Sequence, residues 1–397
     1  MTSEWNHFAL GEITELVIDY RGKTPKKLGG DWCKQGYRAL SAKNIKTGRI
    51  VQAETIRYID ESLYRKWMKD EVQRGDILIT SEAPFGQIFF WDSDEKIVLS
   101  QRLFCVRIKP EYDARFIYYY MTTPEFQSEL DGRATGTTVI GLRQPELMKC
   151  VIRCPEIQEQ KVIAAILSSI DAKIIANEKV NDNLLEQMQA IYKSWFVDYL
   201  PFGGVMPESW TQAGIYSLAN IIYGTPFASK QFNTEGNGKP IIRIRDLKDQ
   251  QFATYTTEVH PKGYLLRPGD IVVGMDGEFR PYIWGNDEAW LNQRVCVFEN
   301  KRPKGKAFLY FTIKPLLYAI EQTQVATTVI HIGKKDYDAF EIMLPDTATL
   351  DSFDLLTAPM IMQIVSNSFE NKRLAAMRDS LLPKLMSGEI DVSAVQL

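Results

Sequence analysis

Few side chains in this sequence stand in patterns that could do covalent chemistry. Glu159-Gln160-Lys161 and Asp171-Ala172-Lys173 match the acid-x-Lys element of metal-dependent nucleases. That element works from a strand, with a further acid converging on the metal. Here both copies stand in a run of helical periodicity, so they are expected to be solvated helix charges. The sequence has no Walker loop, no GxSxG, no HExxH and no GxGxxG. It also lacks the Asn-Pro-Pro-aromatic segment with which amino-methylating enzymes grip a target base. The histidines His7, His260 and His331 are scattered, so a His-based metal site is not expected. Cys33, Cys105, Cys150, Cys154 and Cys296 form no CxxC pair, which reads as a reduced, cytoplasmic protein without a disulfide framework. These patterns predict a binding and scaffolding chain with no cofactor of its own.

The charge distribution offers binding chemistry instead. The chain carries a net charge of −3, yet Arg21 to Arg49 holds nine basic residues and one acid, Asp31, a local charge of +8. Gly22, Thr24-Pro25 and Gly29-Gly30 make that run loop-rich, so it can approach a phosphate backbone closely. No stretch approaches the ~20 apolar residues of a membrane helix. The opening Met1-Thr2-Ser3-Glu4-Trp5-Asn6-His7 lacks the basic start and apolar core of a secretory signal.

The elements that must position such loops occur twice. The chain's 397 residues suggest two to four domains at roughly 100–200 residues each. Thr137-Thr138-Val139-Ile140 recurs as Thr327-Thr328-Val329-Ile330, an offset of 327 − 137 = 190. Pro155 and Pro345, Asn177 and Asn367, Asn181 and Asn371, and Leu184 and Leu374 keep the same offset. Upstream, Ser100-Gln101-Arg102 resembles Asn292-Gln293-Arg294, and Gly75-Asp76-Ile77 resembles Gly269-Asp270-Ile271. Each copy opens with short β-type runs broken by Gly, Pro and Asp turns, with short helices expected at 114–121 and 306–313. Tyr118-Tyr119-Tyr120 is expected in the core.

Each copy then ends in a long helix. Ile163, Leu167, Ile170, Ile174, Asn177, Asn181, Leu184, Met188, Ile191 and Trp195 alternate steps of four and three residues, which is a coiled-coil seam. The second seam reads Met360, Ile364, Asn367, Asn371, Leu374, Arg378, Leu381 and Leu385, with Pro359 and Pro383 near its ends. Asparagines on a seam cost stability and are best understood as fixing register. An antiparallel pairing about a pseudo-two-fold axis near Lys179 and Phe369 would set Asn177 level with Asn371 and Asn181 level with Asn367. The resulting fold class is α+β: two duplicated mixed α/β domains separated by two long helices forming an antiparallel coiled coil. The boundaries read 1–155 and 201–345 for the domains, and 156–200 and 346–397 for the helices.

This order resembles the specificity subunit of type I restriction-modification systems. The carrying residues are the duplicated unit, Gly75-Asp76-Ile77-Leu78-Ile79, Ser100-Gln101-Arg102, and the domain exit Cys154-Pro155-Glu156-Ile157-Gln158-Glu159-Gln160-Lys161. The ending Leu381-Leu382-Pro383-Lys384-Leu385-Met386-Ser387-Gly388 is also family-like, whereas Leu344-Pro345-Asp346 lacks the Glu-Gln of the first exit. The resemblance covers essentially the whole chain. It implies that each globular domain is a target-recognition domain reading half of a split double-stranded DNA sequence. It implies that the helices set the spacing and dock two methyltransferase subunits, which carry S-adenosylmethionine. An ATP-consuming restriction and translocase subunit would join through the complex. A nuclease or methyltransferase with an unrecognised motif, or a coiled-coil adaptor, are the competing readings.

Residue types suited to phosphate and base-edge contact select the candidate DNA-binding set. In the first domain these are Arg21, Lys23, Thr24, Lys26, Lys27, Lys43, Asn44, Arg102, Arg133, Thr135 and Thr137. In the second they are Thr225, Lys230, Arg243, Arg245, Asp246, Arg280, Arg294, Thr327 and Thr328. Arg102 and Arg294 share a duplicated Gln-Arg context, which a structural salt bridge would equally explain.

Overall fold

The computed structural model describes residues 5–136, 140–323, 331–392 and 395. It divides into two compact units, one of residues 1–172 with 376–397, the other of residues 173–375.

In the first unit, Asn6–Ala9 pairs antiparallel with Val151–Cys154, so the start of the chain meets the end of the globular part. A four-stranded sheet follows, ordered Thr14–Asp19, Leu103–Ile108, Ile77–Thr80 and Ile88–Phe90. In a second sheet, Tyr37–Leu40 lies antiparallel to Arg57–Ile59 and parallel to Ile97–Leu99. Ile77, Leu78 and Ile79 are fully buried, as befits a continuous apolar run covered on both faces. The expected helix Ala114–Met121 is present, and Tyr118, Tyr119 and Tyr120 are buried in the core.

The second unit repeats this plan. Ala219–Tyr223, Val295–Asn300, Ile271–Gly274 and Pro281–Ile283 form the matching four-stranded sheet. Lys239–Ile242 again lies parallel to a later strand, Ala289–Leu291. The expected short helix at 306–313 is longer, running Lys306–Thr323 through Pro315. Proline removes one helical hydrogen bond, and burial of Ile313 and Leu317 on either side holds the continuation.

The duplicated Gly-Asp pairs build the same turn in both units. Gly75 and Gly269 take positive φ, of 95° and 84°, which glycine adopts without a Cβ clash. The following aspartate accepts a backbone hydrogen bond from three residues upstream, Gln73 N to Asp76 at 2.8 Å and Arg267 N to Asp270 at 2.8 Å. Arg107 Nε completes the buried Asp76 at 2.9 Å, while the Tyr264 hydroxyl donates to Asp270 at 3.0 Å. Burial raises the Asp270 pKa above the ordinary aspartate value.

Two forty-residue helices, Ile157–Phe196 and Thr347–Met386, follow the globular parts. Gln160 explains the first exit. It is buried, donates to Pro155 O at 2.8 Å and accepts from Asp113 N at 2.9 Å, tying the helix start to the core. The second exit uses Asp346 as its cap, accepting from Thr349 N at 2.9 Å. Leu350, at the position 160 + 190, is buried in place of the glutamine.

Candidate nucleic-acid interface

The helix seam carries its polar groups in mutual contact. Within the second unit, Asn177 Nδ2 donates to Asn371 Oδ1 at 2.8 Å, and Asn367 Nδ2 donates to Asn181 Oδ1 at 2.8 Å. An offset of 190 exchanges these two bonds, so the local helix pair obeys a two-fold relation. The same relation links Lys173 Nζ to Asn177 Oδ1 at 3.0 Å and Gln363 Nε2 to Asn367 Oδ1 at 2.7 Å. Paired amides meet the cost of burying Asn177 and Asn367. Ile163, Leu167, Ile170, Ile174 and Met188 are buried on the first helix, with Leu184, Ile191 and Trp195 half-buried. Each fully buried aliphatic contributes about 1.5–3 kcal/mol.

On the second helix Ile364 and Leu385 are buried and Leu374 and Leu381 half-buried. The start of this seam shifts phase: Ile361 is buried, and Met360 is only partly so. The helix there lies on the core of the second unit through Phe353 and Thr357, a broader contact than a two-helix seam.

Glu370 Oε2 accepts from Asn177 at 2.7 Å and faces Lys173 at 3.3 Å. The Asn177 hydrogen bond, then Lys173, hold its carboxyl below the ordinary glutamate value. A depressed carboxylate contributes stability above the ordinary value and loses it as pH falls through the folded value. Acid unfolding of Glu370→Gln is therefore expected to start from a lower neutral stability and vary less with pH below 5. Denaturation midpoints of both proteins across pH 3–7 check this; parallel curves would contradict it.

Several candidate DNA contacts of the first unit already hold partners. Arg21 Nε donates to Asp19 at 2.8 Å and Nη1 to Leu142 O at 3.2 Å, with its guanidinium 4.0 Å from the Phe104 ring centre. Lys23 Nζ donates to Trp67 O at 2.5 Å and lies 3.6 Å from the Tyr20 ring centre. Burial, with Lys69 nearby, lowers its pKa. Lys27 Nζ donates to Gly22 O at 2.8 Å, and Thr24 Oγ1 accepts from Lys27 N at 3.3 Å. Lys26 and Lys43 are exposed. Arg133 pairs with Glu129 at 2.9 Å, and Thr135 bridges to Gly141. Arg102 has a left-handed backbone, φ 63°, and pairs with Glu82 at 3.3 Å.

In the second unit, Arg294 pairs with Asp276 at 3.6 Å, the counterpart of Arg102 with Glu82. His331 joins that pair, 2.6 Å from Asp276 and 3.2 Å from Arg294. Arg280 Nη2 donates to Glu321 at 2.9 Å. Arg243 and Arg245 lie 3.5 and 3.7 Å from Asp246. Lys230 is exposed, and the Thr225 hydroxyl is buried with no hydrogen-bond partner among the described residues. Thr137, Thr327 and Thr328 lie outside the described residues.

Asn44 and Asp246 are engaged in their own local turns, and Asn44 also lines a cavity. Asn44 accepts from Ser41 N at 3.1 Å and donates to Thr55 Oγ1 at 3.0 Å, closing the single turn 42–44. Asp246 accepts from Arg243 N at 3.0 Å and closes 244–246 in the same way. Both are buried. In front of the first turn lies a cavity of about 190 Å³, with Lys43, Arg57, Gln101 and Arg102 on its walls. Arg57, Trp32 and Ser41 lie outside the candidate set because they come from separate strands and loops, and Gln101 stands in the duplicated Gln-Arg segment without being a candidate itself. For Arg57 and Ser41 only the polar side-chain type, without spacing, was a signal.

Among the described residues, no group of three His, Cys, Asp or Glu could hold a metal, and no helix is long and apolar enough to cross a membrane. The five cysteines are free, with Cys33 exposed and the others buried. Two copies of one mixed α/β unit, the first with a cationic loop run, and an antiparallel helix pair define a duplicated recognition scaffold. A family model described as the type I restriction modification DNA specificity domain matches residues 2–187 and 207–356. The chain belongs to this family, the non-catalytic DNA-specificity component of such systems.

A stretch of 142 residues is 38% identical to the type I restriction enzyme EcoBI specificity subunit of Escherichia coli, spanning 36% of this chain and 30% of that one. The MjaIX specificity subunit of Methanocaldococcus jannaschii is 24% identical over 341 residues, 80% of this chain and 78% of that one. The crystal structure of the S subunit from M. genitalium shares the fold at TM-score 0.56 and 15% identity, with 96% of each chain covered.

Proposed function

We propose that each globular domain, 1–155 and 201–345, reads one half of a bipartite, asymmetric double-stranded DNA target. The helices, 156–200 and 346–397, set the spacing and dock two methyltransferase subunits. Restriction and translocase subunits join through that complex, and the assembly works in the cytoplasm. The observation that carries this reading is the duplicated platform. Both units hold the same capped turn and the same arginine–carboxylate pair, while the surrounding loops differ in charge and length. The specificity family and the related specificity subunits support the DNA target. Sequence-specific binding that requires the methyltransferase partner would support the proposal; metal-dependent cleavage by the purified chain alone would favour an enzyme.

Phosphate contact in the first domain is assigned to the exposed face of the basic run. Lys23 is half-buried and committed to Trp67 O and the Tyr20 ring; Lys26 and Lys27 are exposed, Lys27 with one ammonium hydrogen on Gly22 O, so these two carry the expectation. Replacing both by alanine should weaken binding to all sequences alike and reduce the salt slope by about 0.9 for each lost phosphate contact. Affinity measured against salt concentration checks this, and an unchanged slope would leave the run a solvated face.

A further inference from the structure

We infer that the cavity of the first unit reads the O6/N7 edge of a guanine, and that its counterpart in the second unit is filled by Arg243. This deepens the proposed DNA reading and rests on it. The cavity lies between the turn 42–44, the strand residue Arg57 and the segment Ser100–Arg102. Three of its lining residues are cations, Lys43, Arg57 and Arg102, and none carries a carboxylate. The Arg57 guanidinium is 4.3 Å from the Trp32 ring centre, which fixes the plane of its donor fork. Arg102 enters from a left-handed backbone and is steadied by Glu82 at 3.3 Å. Gln101 adds an exposed amide at the rim.

Three cations with no carboxylate among the lining residues favour an acceptor-rich ligand. In the DNA major groove, guanine presents two adjacent acceptors, O6 and N7, and arginine or lysine is its usual partner. A phosphate would equally satisfy a cation, but phosphate contacts carry no sequence information and make no use of an apolar wall. Here Ala39, Ala42, Ala83 and Trp32 supply an apolar wall, which suits the flat body of a base.

The second unit shows what closes the site. Ser41 and Arg243 occupy the same place, each donating its backbone N–H to the third residue of the following turn, at 3.1 and 3.0 Å. Strand register sets Ala39 opposite Arg57. The equivalent strand sets Pro240 opposite Tyr255, and Ile241 N then donates to Thr254 O at 3.0 Å. Thr254 therefore stands where Arg57 stands. Serine and arginine line the open cavity in the first unit, whereas arginine meets threonine in the second. The Arg243 guanidinium donates to the Thr254 hydroxyl, across the gap that the first unit leaves open. The two units thus offer different donors at one equivalent point, which makes their half-sites unlike there.

The test is the methylation pattern produced by the full chain, or its variants, with the methyltransferase partner. Arg57→Ala removes the fork, and Ser41→Arg copies the filled arrangement. Both are expected to lower the preference for one guanine of a single half-site by at least about fivefold, leaving the other half-site and the spacing unchanged. Unchanged sequence preference with uniformly weaker methylation and a shallower salt slope would make the cavity a phosphate site and overturn the inference. Altered preference at an A·T position would overturn it too. A wild-type pattern that is not bipartite would instead overturn the proposed function itself.

Discussion

Replacing Arg378 by methionine is expected to destabilise the protein by about 2 kcal/mol. Arg378 Nη1 donates to Asp171 Oδ1 at 2.8 Å, and the Tyr119 hydroxyl donates to Asp171 Oδ2 at 2.6 Å. Their side chains are 32% and 24% exposed, so the pair is mostly but not fully desolvated. Breaking a fully buried pair costs about 3–5 kcal/mol, because one charge is left without its partner, and the residual exposure discounts that. The second unit carries the apolar alternative at the equivalent positions, Ile361 and Met188, both buried. Asp171→Ile combined with Arg378→Met copies that layer and should recover most of the loss, since a packed apolar layer can match an ion pair. Urea midpoints of the two single variants and the double variant decide this. Additive losses would mean that the charges do not act as a pair.

The second large effect concerns spacing. Removing 172–178 together with 370–376 deletes one heptad from each helix at facing positions, keeps the phase and leaves the Asn181–Asn367 bond. Seven residues at about 1.5 Å each remove about 10 Å of helix. Recognised half-sites should then lie about three base pairs closer, at about 3.4 Å per pair, with their sequences unchanged. Methylated sites collected from cells carrying this variant give the answer directly. Altered half-sites at the original spacing would remove the helices from their role as a ruler.

Much of this architecture was legible because it rests on periodicity and repetition. The constant offset of 190 ties Asn177 to Asn367 and Asn181 to Asn371, and one antiparallel pairing satisfies all four amides. Gly75-Asp76 and Gly269-Asp270 were legible as turns because positive φ and side-chain capping are local. The candidate interface was less legible, because whether an arginine is available depends on partners distant in the chain. Arg280 meets Glu321 forty-one residues on, and Lys23 reaches Trp67 O forty-four residues on. Asn44 and Asp246 have residue types suited to base edges, yet their local turns draw both inward. The seam's shift from Met360 to Ile361 was hidden for a related reason. A helix lying on a globular core buries a wider face than the 3,4 pattern describes.

The central claim is that two unlike domains on one scaffold read two halves of one DNA sequence. Mapping methylated adenines in the DNA of cells that carry this chain and its methyltransferase partner tests it most directly. The expected result is a single motif of two different specified halves, separated by a spacer of fixed length and free sequence. A continuous motif, or a palindromic one with identical halves, would contradict it.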